Sequence, residues 1–341
     1  MATRSVLGLL YAAEAFEEAG CDVAPIMARH GLPMESLDAN ARIERSKELA
    51  VLSDIFALSP QSELGLNVGH HMGLAGYGPL SMLVLACRTT YEACQVGIKY
   101  QALAYLFGDI RLELGPRFSA LVIEPMPVPA LISEYLLLRD MSGTLRFIRD
   151  IHKMNDKTIQ LSEVTLSIPQ PDNKTPYEQA FDCPVKFGQT QNSLVIESHF
   201  LKSQFSKGNQ IAFEMYREQC DKMLMEASSV DESLSNSLYR YLAMFNYQIP
   251  SASEAAQTFG ISERTLRRQL KTDNSSYQQV LDQVRFEKAK SWLSSSTRPI
   301  EDISGKLGYQ EAAAFNHAFK RWSGITPSHY RRSHSNNHSS R

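Results

Sequence analysis

Two stretches of this chain repeat one pattern, and that repeat constrains the fold more than any other feature. The first reads Ala255-Ala256-Gln257-Thr258-Phe259-Gly260-Ile261, then Ser262-Glu263-Arg264-Thr265-Leu266-Arg267-Arg268-Gln269-Leu270-Lys271. The second reads Ile303-Ser304-Gly305-Lys306-Leu307-Gly308-Tyr309, then Gln310-Glu311-Ala312-Ala313-Ala314-Phe315-Asn316-His317-Ala318-Phe319-Lys320. Each is a short helix, a turn carrying Gly and a second helix, the pattern of a helix-turn-helix. Two such units in tandem predict a chain that engages two neighbouring turns of duplex DNA.

The second helix of each unit is the candidate reader. On a helical wheel Leu266 and Leu270 lie about 40° apart and mark a buried stripe. Arg264, Arg268 and Lys271 fall on the opposite side, with Arg267 beside them. Ser262 is placed to cap the helix, and Arg suits bidentate contact with guanine or phosphate. In the second unit Phe315 and Phe319 form the stripe. A shift of 49 residues superposes Leu266 on Phe315 and leaves Ala313, Asn316, His317 and Lys320 on the outer face. That face has fewer charges, so the first helix is expected to dominate base reading and the second to add backbone contacts. Between them residues 277–293 predict one long helix that sets their spacing, about one turn of DNA (~34 Å). A cationic helix face is ordinarily just solvated; the duplication, the Gly turns and the local charge weigh against that here.

Charge is unevenly spread. Residues 246–341 hold 14 Lys and Arg against 8 Asp and Glu, while the remainder holds 21 against 29. Only the C-terminal part has the sign expected of a polyanion binder. No apolar run approaches the roughly 18 residues needed to span a bilayer. Five cysteines, odd in number and without a CxxC pair, read as reduced thiols in a cytosol.

The preceding residues mix periods. Residues 3–30 predict helix, broken at Gly20 and stopped by Gly31 and Pro33; 44–58, 90–107 and 134–154 also predict helices. The glycines from Gly65 to Gly78 lack a phosphate-loop spacing and are expected in turns between short helices. Alternating stretches at 110–114, 118–123, 161–168, 185–187 and 193–197 predict strands, an α+β arrangement. Two helices are expected over 208–248, with a break at Ser228-Ser229. Their apolar residues Ile211, Met215, Met223, Leu224, Leu234, Leu238, Leu242 and Phe245 suit a local core or a partner surface, the former favoured for the first helix. Tyr77, Tyr100, Tyr105 and Tyr135 are candidate pocket residues, though each type is more often a core tyrosine.

The run Gly308-Tyr309 and Phe315-Asn316-His317-Ala318-Phe319-Lys320-Arg321-Trp322-Ser323-Gly324-Ile325-Thr326-Pro327-Ser328-His329-Tyr330-Arg331 closely resembles the signature of AraC/XylS-type transcription regulators. Ile261-Ser262-x-Arg264-x-Leu266-x-Arg268-x-Leu270 is similar to that family's first recognition helix, and Arg285, Ala289 and Leu293 to its connecting helix. Ala313 and Ala314 depart from a common Ser, and His317 from a common Arg. The earlier half, through Gly65-Leu66-x-Val68-Gly69, Gly76-Tyr77-Gly78-Pro79-Leu80 and Thr89-Thr90-x-Glu92-Ala93, resembles the effector domain of the branch that includes ornithine and quorum regulators.

The residues and the resemblance together imply an α+β effector domain over 1–205, a helical linker or dimerisation segment over 206–249 and an all-α DNA-binding domain with two helix-turn-helix units over 250–332; the tail over 333–341, which has no apolar residue to bury, is expected to be disordered. The resemblance implies a bacterial cytoplasmic regulator, usually an activator, that binds double-stranded promoter DNA, contacts RNA polymerase, and uses its earlier half for sensing a small effector of unknown identity or for dimerisation, a homodimer being one option. The DNA-contacting set is then Ser262, Arg264, Thr265, Arg267, Arg268, Lys271, Gln310, Ala313, Asn316, His317, Lys320 and Arg321. No cofactor, metal or catalytic residue is expected. The alternatives are regulation by dimerisation without a ligand, and a DNA-modifying enzyme with an attached DNA-binding region. DNA alkyl-transfer repair proteins, which join such a region to a zinc-held cysteine cluster, exemplify the second; only His70, His71, Cys87 and Cys94 offer a conceivable metal set.

Overall fold

The computed structural model describes residues 3–38, 41–228, 233–245, 249–296 and 298–335. The chain divides into two compact units, one comprising Met1–Val23, Asp38–Glu48 and Leu52–Val230, the other Ala24–Leu37, Leu49–Val51 and Asp231–Arg341. No helix among the described residues is long and apolar enough to cross a membrane. All five cysteines are free thiols.

The order begins β1 (Thr3–Ser5), α1 (Leu7–Glu18), α2 (Ala24–Arg29), β2 (Arg42–Glu44), α3 (Arg45–Phe56), α4 (Leu64–His71), α5 (Pro79–Leu85) and α6 (Thr90–Lys99). It continues with β3 (Gly108–Glu113), β4 (Phe118–Pro125), α7 (Ala130–Met154), β5 (Glu163–Thr165), α8 (Thr175–Phe181), β6 (Val185–Lys186), β7 (Asn192–Glu197) and α9 (Gln210–Ser228). All five expected strands join one sheet in the order β3-β4-β7-β5-β6. β3 with β4, β4 with β7 and β5 with β7 pair antiparallel, and β5 with β6 parallel. Inward residues Leu121, Ile123, Val164, Leu194 and Ile196 pack with Leu138, Met141 and Leu145 of α7 in one apolar core.

Three expectations are corrected. Residues 3–5 are strand rather than helix, because β1 pairs antiparallel with β2, Arg4 opposite Ile43. The helix expected over 90–107 ends at Lys99; the amides of Phe107 and Gly108 bond Asp140 Oδ2 at 2.7 and 2.9 Å and turn the chain into β3. Gly65 and Gly69 sit inside α4 rather than in turns. A Cβ at Gly65 would collide with Tyr135 O, and one at Gly69 would lie 2.5 Å from Gly143 N. These glycines let α4 and α7 meet backbone to backbone.

A buried polar node assembles beside the crossing. Arg4 pairs with Glu48 and stacks on Phe107 at 4.2 Å. Arg139, fully buried, lies 3.6 Å from Asp140 and 5.0 Å from the same ring. Buried charges of this kind need partners from distant segments.

The second unit is helical: α10 (Leu234–Ala243), α11 (Ala252–Thr258), α12 (Glu263–Thr272), α13 (Tyr277–Ser295), α14 (Ile300–Lys306), α15 (Ala312–Ser323) and α16 (Pro327–Ser335). It has two small cores. Leu238, Leu242, Ala255, Leu266, Leu270, Val280 and Val284 make the first; Ala289, Leu293, Ile303, Leu307, Phe315 and Phe319 make the second. α13 supplies residues to both, so one 19-residue helix, about 28 Å long at 1.5 Å per residue, carries both modules. Leu238 and Leu242 of α10 are fully buried in the first core. For α9 the expected local core holds only in part: Ile211 and Met215 are exposed, 83% and 48%, while Met223 and Leu224 are half-buried. The last helix passes the expected 332 boundary and reaches Ser335; the remaining tail, 336–341, lies outside the described residues.

Candidate nucleic-acid interface and N-terminal cavity

Each module of the second unit is built by caps and a left-handed turn. Ser251 and Glu254 form a reciprocal capping box at the start of α11, which satisfies two otherwise orphaned amides. Gly260 and Gly308 take φ of +65° and +79° just past α11 and α14, a conformation Gly adopts without steric cost. The turn is four residues long in the first module and five in the second. Ser262 Oγ accepts from Thr265 N at 3.2 Å and meets Thr265 Oγ1 at 2.9 Å. Glu311, at the matching position before α15, makes no side-chain cap.

The outer face of α12 follows from its stripe. Leu266 and Leu270 are fully buried, while Arg264, Arg267, Arg268 and Lys271 are exposed. Arg267 is bound to Glu263 through Nε at 2.8 Å and Nη2 at 2.6 Å. Arg264, Arg268 and Lys271 form no ion pair among the described residues. On α15, Ala313, Asn316, His317 and Lys320 are exposed, as is Gln310 before it. Arg321 is instead held by Asp282 of α13 at 2.9 Å, with Trp322 Nε1 donating to the same oxygen at 3.3 Å. Arg285 of α13 stacks on Tyr309 at 4.7 Å. Two side chains of α13 thus clamp the second module.

A cleft of about 340 Å³ lies between Arg267 and Lys271 of α12 and Ser275, Ser276, Tyr277 and Gln278 at the start of α13. Two cations facing the amino end of a long helix suit a phosphate group. The expected site omitted Ser275–Gln278; the Ser-Ser pair before a helical run was the available signal, because it marks a helix N-terminus.

The first unit contains a cavity of about 90 Å³. Leu80 and Val84 of α5, Ala93, Cys94, Gly97 and Ile98 of α6, Phe147, Ile148 and Ile151 of α7, and Ile110 and Leu121 of the sheet form its apolar wall. Thr90, Gln101, Thr144 and His152 add polar atoms. His152 Nδ1 donates to Ile148 O at 2.8 Å, so Nε2 accepts from Thr90 Oγ1 at 3.0 Å. Burial holds the His152 pKa below its ordinary value, which keeps the ring neutral. Of the four tyrosines considered, Tyr77 lines the cavity. Tyr100 donates to Asp221 at 2.7 Å, Tyr105 to Gly76 O, and Tyr135 is packed against Phe16 and Phe56.

Among the described residues the side chains near enough to share a metal are Glu14, Glu18 and His71, all at the surface; His70, Cys87 and Cys94 are not gathered with them. Burial pushes the Cys87 and Cys94 thiols up to about 12.

Residues 20–205 match the family model described as the arabinose-binding domain of AraC transcription regulator, N-terminal, and 255–333 match a helix-turn-helix domain. The chain belongs to the AraC family of transcription regulators. This AraC-family chain is similar to an ornithine utilization regulator of Pseudomonas aeruginosa, 28% identical over 81% of this chain and 80% of that one. It is also similar to the HTH-type transcriptional regulator VqsM of the same organism, at 24% over 85% and 90%. A solved structure of the transcriptional regulator CdpR from Pseudomonas aeruginosa aligns over 93% of this chain and 98% of that one, at 21% identity and a TM-score of 0.44. The chain is a DNA-binding transcription regulator.

Proposed function

We propose that this regulator binds promoter DNA chiefly through α12, with α15 as the weaker second contact, and that a small molecule in the N-terminal cavity controls that binding. The observation that carries the reading is the outer face of α12, where Arg264, Arg268 and Lys271 stand exposed without an ion-pair partner among the described residues. Such groups are free to pair with guanine edges or phosphates. Arg267 and the start of α13 hold a phosphate in the cleft between them. Ser262 and Thr265 cap the helix and approach the backbone. Gln310, Ala313, Asn316, His317 and Lys320 contact the second groove, and Arg321 acts mainly by fixing α15 to α13. The proposed output is activation, in the cytoplasm, through contact with RNA polymerase. Gel-shift titration of the native promoter fragment against wild type and the Arg264→Ala/Arg268→Ala double variant tests the interface; unchanged affinity and specificity would remove α12 from the reading role.

The cavity supports effector control because it is built from α5, α6, α7 and the sheet, the body of the unit. The relative's name links that protein to ornithine utilization. The corresponding proposal for this chain finds little support in the cavity, whose wall carries no Asp, Glu, Lys or Arg. A second reading, control by self-association, is favoured by α9, where Ile211, Met215 and Met225 are exposed. Light scattering of wild type and Ile211→Glu separates the two: a dimer lost in the variant supports self-association, and equal masses oppose it.

A further inference from the structure

We infer that the N-terminal cavity takes a small neutral molecule with an apolar body and a single oxygen-bearing group, of the class of aromatic alcohols and short alkyl ketones. The inference rests on the reading of this cavity as the effector site.

Three observations carry it. The first is size: about 90 Å³ is several times the roughly 10–15 Å³ that a single water needs, enough for one ring or a short chain. The second is the wall. Val84, Ile98, Leu121, Phe147, Ile148 and Ile151 line it, and no lining side chain is Asp, Glu, Lys or Arg. A carboxylate or ammonium placed there would lose its hydration with no opposite charge to replace it. A sugar would bury more hydroxyls than the wall can satisfy.

The third is the small polar set, which is only partly used. Thr90 spends its proton on His152 Nε2, and His152 spends its own on Ile148 O. Gln101 Oε1 accepts from Ile110 N at 2.5 Å, so its amide nitrogen supplies the donors on that side. Thr144 Oγ1 is buried and has no hydrogen-bond partner among the described residues, although the residue is only 8% exposed. A buried hydroxyl without a partner is costly to leave unmade. Thr144 also lines the cavity, and on this proposal its hydroxyl, covered in this structure, rotates about χ1 to donate to a ligand carbonyl or accept from an alcohol.

The experiment is calorimetric titration of the full chain with benzyl alcohol and 2-heptanone, and with L-ornithine and L-arabinose as charged and polyhydroxylated counterparts. The two neutral probes are expected to bind and the other two to give no heat. Thr144→Val, which keeps the shape and removes the hydroxyl, is expected to weaken probe binding about fivefold. Gly97→Leu fills the space, since a Cβ at Gly97 meets nothing within 4 Å, and is expected to abolish binding while the melting transition stays cooperative. Binding of ornithine or arabinose that Gly97→Leu removes overturns the ligand class. So does failure of both neutral probes to bind, which makes the cavity a packing void. DNA affinity is then measured with and without saturating probe. Bound probe that leaves DNA affinity unchanged counts against the effector role and leaves the ligand class standing.

Discussion

At the scale of residues, the two modules differ in what is left unbound. Arg264, Arg268 and Lys271 are exposed cations without ion pairs among the described residues, whereas Arg267 is already held by Glu263 and Arg321 by Asp282. Replacing Arg264 or Arg268 by Ala is expected to cost about 1–3 kcal/mol of specific DNA affinity each, with the larger share at whichever meets a base edge. Filter binding against the specific site and a scrambled site, with thermal melting as control, checks this. Arg267→Ala should cost less, because its ion pair with Glu263 must be given up on binding. The cationic face was legible because a helical wheel fixes which side chains oppose a Leu stripe. The Asp282 pairing was not, since it joins residues 39 apart in sequence through two different helices. His152 supplies a pH test. Its folded pKa is lowered by burial below the ordinary 6.5, so the folded state binds fewer protons than the unfolded one. The stability it contributes is present above about pH 6.5 and is lost as pH falls toward the folded value. Urea unfolding between pH 7 and 5 should show a shallower acid loss for His152→Gln than for wild type; parallel slopes would exclude His152 as a source.

At the scale of elements, two helices do more than fill space. α4 crosses α7 on Gly65 and Gly69, where a Cβ would strike the α7 backbone, with Gly143 of α7 set against Gly69. Gly69→Ala is expected to destabilise the first unit by about 1–3 kcal/mol, since backbone atoms cannot rotate away from the added methyl as a side chain could; denaturant midpoints measure it, and a midpoint at or above wild type would refute the close crossing. Reading these glycines as turn residues failed because glycine serves both positive φ and close approach, and only the neighbouring helix distinguishes them. α13 ties two small cores together, with Asp282 and Arg285 gripping the second module. Asp282→Ala removes acceptors from Gln278, Arg321 and Trp322. It is expected to cost about 1–3 kcal/mol in stability of the second unit and to weaken contacts at the α15 half-site more than at the α12 half-site. Footprinting the two half-sites separately tests that ordering.

At the scale of the molecule, α9 groups with the first compact unit and α10 with the second. The uneven charge is then a property of units, and DNA binding by the basic one should be steeply salt dependent. The slope of log K against log salt is expected to fall by about 0.9 for each phosphate contact removed. Lys271→Ala should therefore flatten the slope while affecting specific and non-specific sites alike, and an unchanged slope would take Lys271 off the phosphate backbone.

By itself the sequence determined the local elements and the family: the two helix-turn-helix modules, the five strands, the caps and the cationic face of α12. Each depends on period, on a capping side chain or on a backbone conformation, and those act within a few residues. Tertiary structure alone decided the β1–β2 pair, the glycine crossing of α4 and α7, the Arg4–Glu48 pair, the docking of Arg139 and Asp140 onto Phe107 and Gly108, and the cavity lined by Thr144. These require segments far apart in the chain to meet, and a buried charge, a glycine or a hydroxyl takes its meaning from what is packed against it.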